Sequence, residues 1–434
     1  MRGIAGDMLL KKFRVSDLYY ILVMLGYTLS LFLSAVRPGV FASVLMLIAG
    51  IETVLLFSKN RISRGSKAKE LFGLSLVDAT VLLYFIINIL SVFWLTKNGF
   101  SISVFVQEFS NSILPIVFYF YAVYNSDEKV SDNYLKLFLA SVVYICLIGI
   151  ILNIICPQNY LDYLFRLGHI SLADAPTAKV RMNSLIGSTS LGFLTVAGML
   201  AAVKFFFDGV NVTKNSEKFK INDLFKNKTK AVLSMLSFII CFAVAFLTSQ
   251  RAAMVAALIV VVYINWLLVY AFNILDKKFI YFELIAIAVL IIAMFVVMPY
   301  MAGKIAARLL SLPGAIGERS ESWIAAINNM YGQWFGNGLG ANGHKAIGTK
   351  GQFLVADGGL IKLYCEEGAI GFGLFVYIII EAFKKGYKNL RQCYPYIGII
   401  AIALLMSIGS NIISFQLCAP VFYYAIGCTQ RKVN

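Results

Sequence analysis

Residues 252–272 read AAMVAALIVVVYINWLLVYAF, an apolar run of 21 residues without one charged side chain. A helix needs about 20 such residues to cross the hydrocarbon core of a bilayer. The run is apolar all round and shows no polar face, so it reads as a membrane span. Backbone polar groups in lipid must bond internally, which makes the span helical.

The same reading carried outward marks twelve candidate spans: about 18–36, 40–57, 76–95, 103–124, 135–155, 185–207, 231–248, 252–272, 280–298, 358–380, 396–411 and 414–428. The last two are short. Strand-like alternation of apolar and polar residues is absent, which excludes a barrel. The expectation is an all-α, polytopic membrane protein of about 12 helices, with residues 1–434 as one domain. Of the 434 residues 60% are hydrophobic and 14% charged, against about 25% charged in a soluble domain. That balance excludes a soluble enzyme, a disordered chain and a nucleic-acid-binding domain.

The net charge of +16 is mostly a statement about orientation. Arg2, Lys11, Lys12 and Arg14 precede the first span, and Lys59, Arg61, Arg64, Lys67 and Lys69 follow the second. Six lysines lie in 208–230, and Lys384, Lys385, Lys388 and Arg391 lie in 384–391. With twelve spans all of these fall on one side, and the excess of Lys and Arg makes that side the cytoplasm. Both termini are then cytoplasmic. The seven cysteines show no paired spacing, so neither a disulfide framework nor a zinc site is expected. No Asp-x-Asp cluster is present either.

The opposite face carries two long loops, about 156–184 and 299–357, the second with short helical stretches. Both histidines, His169 and His344, lie in them, with Arg166, Lys179, Arg181, Lys304, Arg308, Arg319, Lys345 and Lys350. Positive charge outside runs against the topology rule, and long loops are where sites usually sit. Arg251 stands in a Ser249-Gln250-Arg251 hairpin between two apolar runs. It either snorkels to headgroups or holds an anion, for which the guanidinium fork is well shaped. Glu318 and Glu321 could pair with Arg319 on a solvated helix. Gly336-Asn337-Gly338-Leu339-Gly340 is a turn whose N–H groups could approach a ligand, or an ordinary flexible loop. Asp357 is the last charge before a span that contains Lys362, Glu366 and Glu367. Asp357 and Glu366 share a face only if the span starts non-helically, which Gly358-Gly359 would permit. Lys362 and Glu366, four apart, could equally form a structural pair. Glu52, Asp78, Glu108 and Glu283 read as interhelical hydrogen-bond partners.

The order of these pieces resembles the O-antigen polymerase and ligase family of bacterial polysaccharide assembly. The segments are RMNSLIGSTSLGFLTVAG from 181, SQRAAMVAAL from 249, ERSESWIAAINNMYGQWFGNGLGANG from 318 and ADGGLIKLYCEEGAIGFGLF from 356. The resemblance implies a GT-C-like membrane glycosyltransferase with a long extracytoplasmic loop between helices 9 and 10, part of the active site. It implies an undecaprenyl-diphosphate-linked oligosaccharide as donor and as acceptor, at the outer face of the bacterial cytoplasmic membrane. Arg251, Arg319 and Arg181 would bind the diphosphate. Asp357, Glu366 or His344 would act on the acceptor hydroxyl, with Ser249, Lys362, Gly338 and Gly340 contacting substrate. Asp357-Gly358 stands where the family's ligases carry His-Asn, which favours a polymerase. No metal or other cofactor would be needed if arginines neutralise the diphosphate. Membrane lipids, a chain-length regulator and a flippase would be the remaining partners, with no nucleic acid. A ligase acting on another acceptor and a lipid-linked oligosaccharide flippase are the alternatives.

Overall fold

The computed structural model describes residues 14–33, 35–63, 74–125, 128–155, 181–209, 227–272, 303, 312–343, 355 and 357–431. Among the described residues the regular structure is entirely helical. The helices are α1 (Val15–Leu29), α2 (Pro38–Ser63), α3 (Leu76–Lys97), α4 (Ile102–Tyr124), α5 (Glu128–Ile155), α6 (Ser188–Gly209), α7 (Lys228–Leu247), α8 (Arg251–Ala271), α9 (Leu312–Asn328), α10 (Gly359–Lys388), α11 (Leu390–Gly409) and α12 (Ala419–Gln430).

Nine of these are long and apolar enough to cross a membrane: α2 to α8, α10 and α11. The protein is thus a multi-pass membrane protein by length and composition. Nine is fewer than the twelve spans read from the sequence, for three separate reasons. α1 stops after 15 residues. The run 414–428 is split, with a 3-10 turn at Ile412–Ser414 and then α12, whose 12 residues are all buried. Twelve residues rise about 18 Å, well short of a hydrocarbon core of about 30 Å. The expected span 280–298 lies outside the described residues, as do loop residues 156–180 with His169, and His344.

Local chemistry sets the ends of the spans. α3 begins with a capping box: Ser75 accepts from the Asp78 N–H, and Asp78 accepts from the Ser75 N–H at 2.9 Å. It ends with Lys97 in the last turn and Gly99 at φ 86° just beyond Asn98. α4 is irregular in the middle. After Glu108 it widens into a π-turn, Phe109–Ile113, then tightens into a 3-10 turn containing Pro115, whose missing N–H breaks the ladder.

The described helices form two compact units. The sequence offers no linker to mark this division, whose boundaries fall within the ranges of α5, α9 and α11. The first unit comprises residues 1–141, 319–389 and 399–434. At its core, α12 packs on the second half of α4 and on α1. The Tyr134 and Tyr424 rings stack at 3.8 Å, and the Tyr20 hydroxyl donates to the Leu417 carbonyl at 2.9 Å while accepting from the Val421 N–H. Buried carboxylates in this unit take tyrosine hydroxyls as donors: Tyr121 to Asp17 at 2.7 Å, Tyr119 to Asp78 at 2.6 Å and Tyr84 to Glu367 at 2.7 Å. Glu52 accepts from both the N–H and the hydroxyl of Ser16. Such pairing is what a low-dielectric interior demands, and it matches the expectation for Glu52 and Asp78. Glu283 lies outside the described residues.

The second unit comprises residues 142–318 and 390–398. α6 is its centre and packs through small residues. A methyl on Gly192 would lie 2.8 Å from Ala253, and one on Gly198 would lie 3.1 Å from Cys241. Close backbone approach of this kind is the usual way helices associate in lipid.

Candidate functional site

α10 is not one continuous helix. Gly368 has φ 67° and ψ −171°, a conformation that belongs to glycine. The kink costs α10 the two helical bonds from Ala369 to Cys365 and from Ile370 to Glu366. Four backbone groups buried in a membrane protein then need partners. The segment 333–338 supplies all of them. The Asn337 and Gly338 N–H groups donate to the Cys365 and Glu366 carbonyls at 2.8 and 2.9 Å. The Ala369 and Ile370 N–H groups donate to the Gln333 and Trp334 carbonyls at 2.8 and 3.1 Å.

Glycines let the two backbones meet. A methyl at Gly336 would lie 2.5 Å from the Glu366 carbonyl, and one at Gly368 would lie 2.5 Å from the Trp334 carbonyl. The rest of the turn presses on other spans. Gly338, at φ 94°, lies against Leu95 at the end of α3, and Gly340, at φ 90°, against Val104 and Glu108 of α4. Leu339 N–H donates to the Ser91 hydroxyl at 3.2 Å. So the turn that could have bound a ligand through its N–H groups instead spends them on the protein. Gly338 gives its N–H to Glu366, and Gly340 packs closely on α4.

Beneath the turn is a buried ionic cluster. Lys362 donates to Glu108 of α4 and stands 3.7 Å from Glu366, one turn on along α10. Glu366 also accepts from the Asn342 N–H at 3.1 Å. All three charged side chains are almost fully buried. The cluster ties α4, the glycine turn and α10 together. Lys362 and Glu366 are therefore paired, as their spacing allowed. Glu108 is thus an interhelical hydrogen-bond partner, as expected from the sequence; which residue it pairs with could not be read, because Lys362 is 254 residues away. Its one local signal was a carboxylate inside an apolar run.

Above the cluster, at the start of α10, lies a second and accessible pair. Arg319 donates to Asp357 at 2.8 Å, with 32% and 45% of the side chains exposed. Trp323, one turn on along α9, donates its indole N–H to the Asp357 carbonyl at 2.5 Å. The non-helical start that Gly358-Gly359 could permit is present: Gly358 has φ 132° and α10 begins at Gly359. Arg319 thus pairs with Asp357, not with Glu321, which is exposed. The Glu318 side chain is outside what is described.

In the second unit, two other predicted segments come together. The Met182 N–H donates to the Leu247 carbonyl at 3.0 Å, and Gln250 donates to the Ser188 hydroxyl at 2.8 Å. This joins the stretch after Arg181 to the hairpin Ser249-Gln250-Arg251. Ser249 is at φ 51° and turns the chain, and Arg251 opens α8. Both arginines are half-buried. No cluster of three His, Cys, Asp or Glu able to hold a metal occurs among the described residues.

No protein-family model matches the chain, and no curated protein is found to be similar to it.

Proposed function

We propose that the protein is a membrane glycosyltransferase that polymerises undecaprenyl-diphosphate-linked oligosaccharide repeat units at the outer face of a bacterial cytoplasmic membrane. The observation that carries this reading is the Arg319–Asp357 pair, an oriented guanidinium and a carboxylate left accessible at the entry of a span-length helix. Long-range support comes from the order of the Arg181, Arg251, Arg319 and Asp357 segments along the chain. In this reading the termini are cytoplasmic and the site extracytoplasmic, as the distribution of Lys and Arg over a twelve-span count would have it.

The acceptor hydroxyl attacks the anomeric carbon of the donor. A new C–O bond forms, the bond from that carbon to the diphosphate oxygen breaks, and the hydroxyl proton leaves to a carboxylate. Asp357 is the accessible carboxylate for that role, whereas Glu366 is committed to Lys362 and Asn342 and acts by holding the turn. Arginine forks stabilise the departing diphosphate. Arg319 is assigned that role by its place beside Asp357, and Arg181 and Arg251 by the family resemblance alone. No metal enters this scheme. In vitro polymerisation of lipid-linked repeat units tests it. Arg319→Ala and Arg251→Ala, folded and at normal abundance, are expected to lose on the order of a hundredfold in ladder formation. Full-length ladders from either variant would remove that arginine from the scheme, and single additions in place of ladders would point to a ligase.

A further inference from the structure

The sequence places residues 299–357 in an aqueous loop, yet part of that stretch carries a strongly apolar surface. Ile324 and Ile327 on α9, then Tyr331, Trp334 and Phe335, are all exposed, Trp334 at 68%. The buried cluster beside them, Ala326, Val355 and Cys365, takes Trp323, Met330 and Ile361 instead.

Their depth is set by three independent ties. The Phe335 ring lies 5.4 Å from Trp94, in the last turn of α3, whose neighbours Leu90 and Phe93 are exposed on the outside of that span. Tyr331 lies edge-on to Phe100, just beyond the end of α3, and Asn98 donates its side-chain amide to the Asn337 carbonyl. The four backbone bonds at the Gly368 break hold 333–338 against Cys365–Ile370. From that break to Lys388, α10 has about 20 residues, a rise of roughly 30 Å, which is the thickness of the hydrocarbon core. The break, and the segment bonded to it, therefore stand at one boundary of the bilayer, level with the end of α3. Aromatic residues among amides, here with Asn328, Asn329, Gln333 and Asn337 nearby, are the composition favoured at that boundary.

We infer that 324–335 is a membrane-embedded interfacial segment, its Ile324, Ile327, Tyr331, Trp334 and Phe335 side chains resting among the lipids of the leaflet that surrounds the end of α3. The occupant of the surface is bilayer lipid, because the patch continues the lipid-facing side of α3. Glu321, on the same helix, is exposed and charged and serves as the reference position. The inference does not depend on the glycosyltransferase reading, and its test measures no activity.

Spin labels report it on the full chain in lipid vesicles. Cysteines are introduced singly as Ile327→Cys, Trp334→Cys and Glu321→Cys with Cys156→Ser. The six cysteines among the described residues are buried and do not compete for label. Monodisperse size exclusion and an unchanged melting point certify each variant, and Tyr331→Cys replaces any that fails. The expected result is collision with oxygen exceeding collision with a water-soluble nickel chelate at 327 and 334, and the reverse at 321. Nickel accessibility at 334 equal to that at 321 would overturn the inference by placing the segment in water. Immobile labels at 327 and 334 shielded from both reagents would overturn it by showing a protein surface, such as a second copy, on the patch.

Discussion

Replacing Gly368 by alanine should be among the most damaging single methyl additions in the first unit. The residue sits in a conformation that only glycine adopts readily, worth about 1–3 kcal/mol of strain for any other residue. The methyl would also lie 2.5 Å from the Trp334 carbonyl carbon and oxygen, which are backbone and cannot rotate away. Segment 333–338 must then retreat from α10 and stretch four buried hydrogen bonds, each worth about 0.5–1.5 kcal/mol. Together these give about 3–9 kcal/mol, a fall in melting temperature of roughly 10–30 °C for a unit of this size. The assay is thermal unfolding of the purified chain in nanodiscs. Gly373→Ala is the internal control: it lies in the same helix with open space around it, and there alanine should be neutral or gain up to about 1 kcal/mol. A Gly368→Ala protein that melts no lower than Gly373→Ala would refute the account of the break. Gly336→Ala attacks the same backbone contact from the other side, so the double variant should lose less than the sum of the singles.

Lys362→Met leaves Glu108 and Glu366 buried without their cation and should cost about 3–5 kcal/mol. Adding Glu108→Gln and Glu366→Gln should restore much of the loss, as read by the same melting assay. Tyr119→Phe removes the phenol that donates to buried Asp78 and should cost about 1–3 kcal/mol. Asp78→Ala should cost more, because it also dismantles the capping box of α3. Arg319→Lys keeps the charge but not the planar fork, so polymerisation should fall well below wild type while the melting point barely moves. Equal activity would show that a point charge suffices.

The helices were legible because their cause is local. The uncharged run 252–272 and its counterparts identify spans by length and apolarity alone, and among the described residues a span-length helix stands at nine of these places. The runs at 18–36 and 414–428 hold helices of only 15 and 12 residues, and apolarity does not distinguish a lipid-facing span from a helix buried all round, as α12 is. The site was legible only as a set of parts. Asp357, Arg319, Lys362, Glu366 and the glycine turn stood out as unusual residue types, and the spacing of Lys362 and Glu366 foretold their pairing. Their assembly could not be read. Whether the turn binds a ligand or mends a broken helix depends on which backbone groups Gly368 leaves open, and those groups lie some thirty residues further along the chain. Glu108 joins the cluster through a contact across 254 residues. Residue type and hydrophobic periodicity are properties of neighbours in sequence, so the sequence by itself determined the helices and the candidates. Hydrogen-bond satisfaction and charge pairing in a dry interior are closed by neighbours in space, so only the tertiary structure decided what each candidate is bonded to.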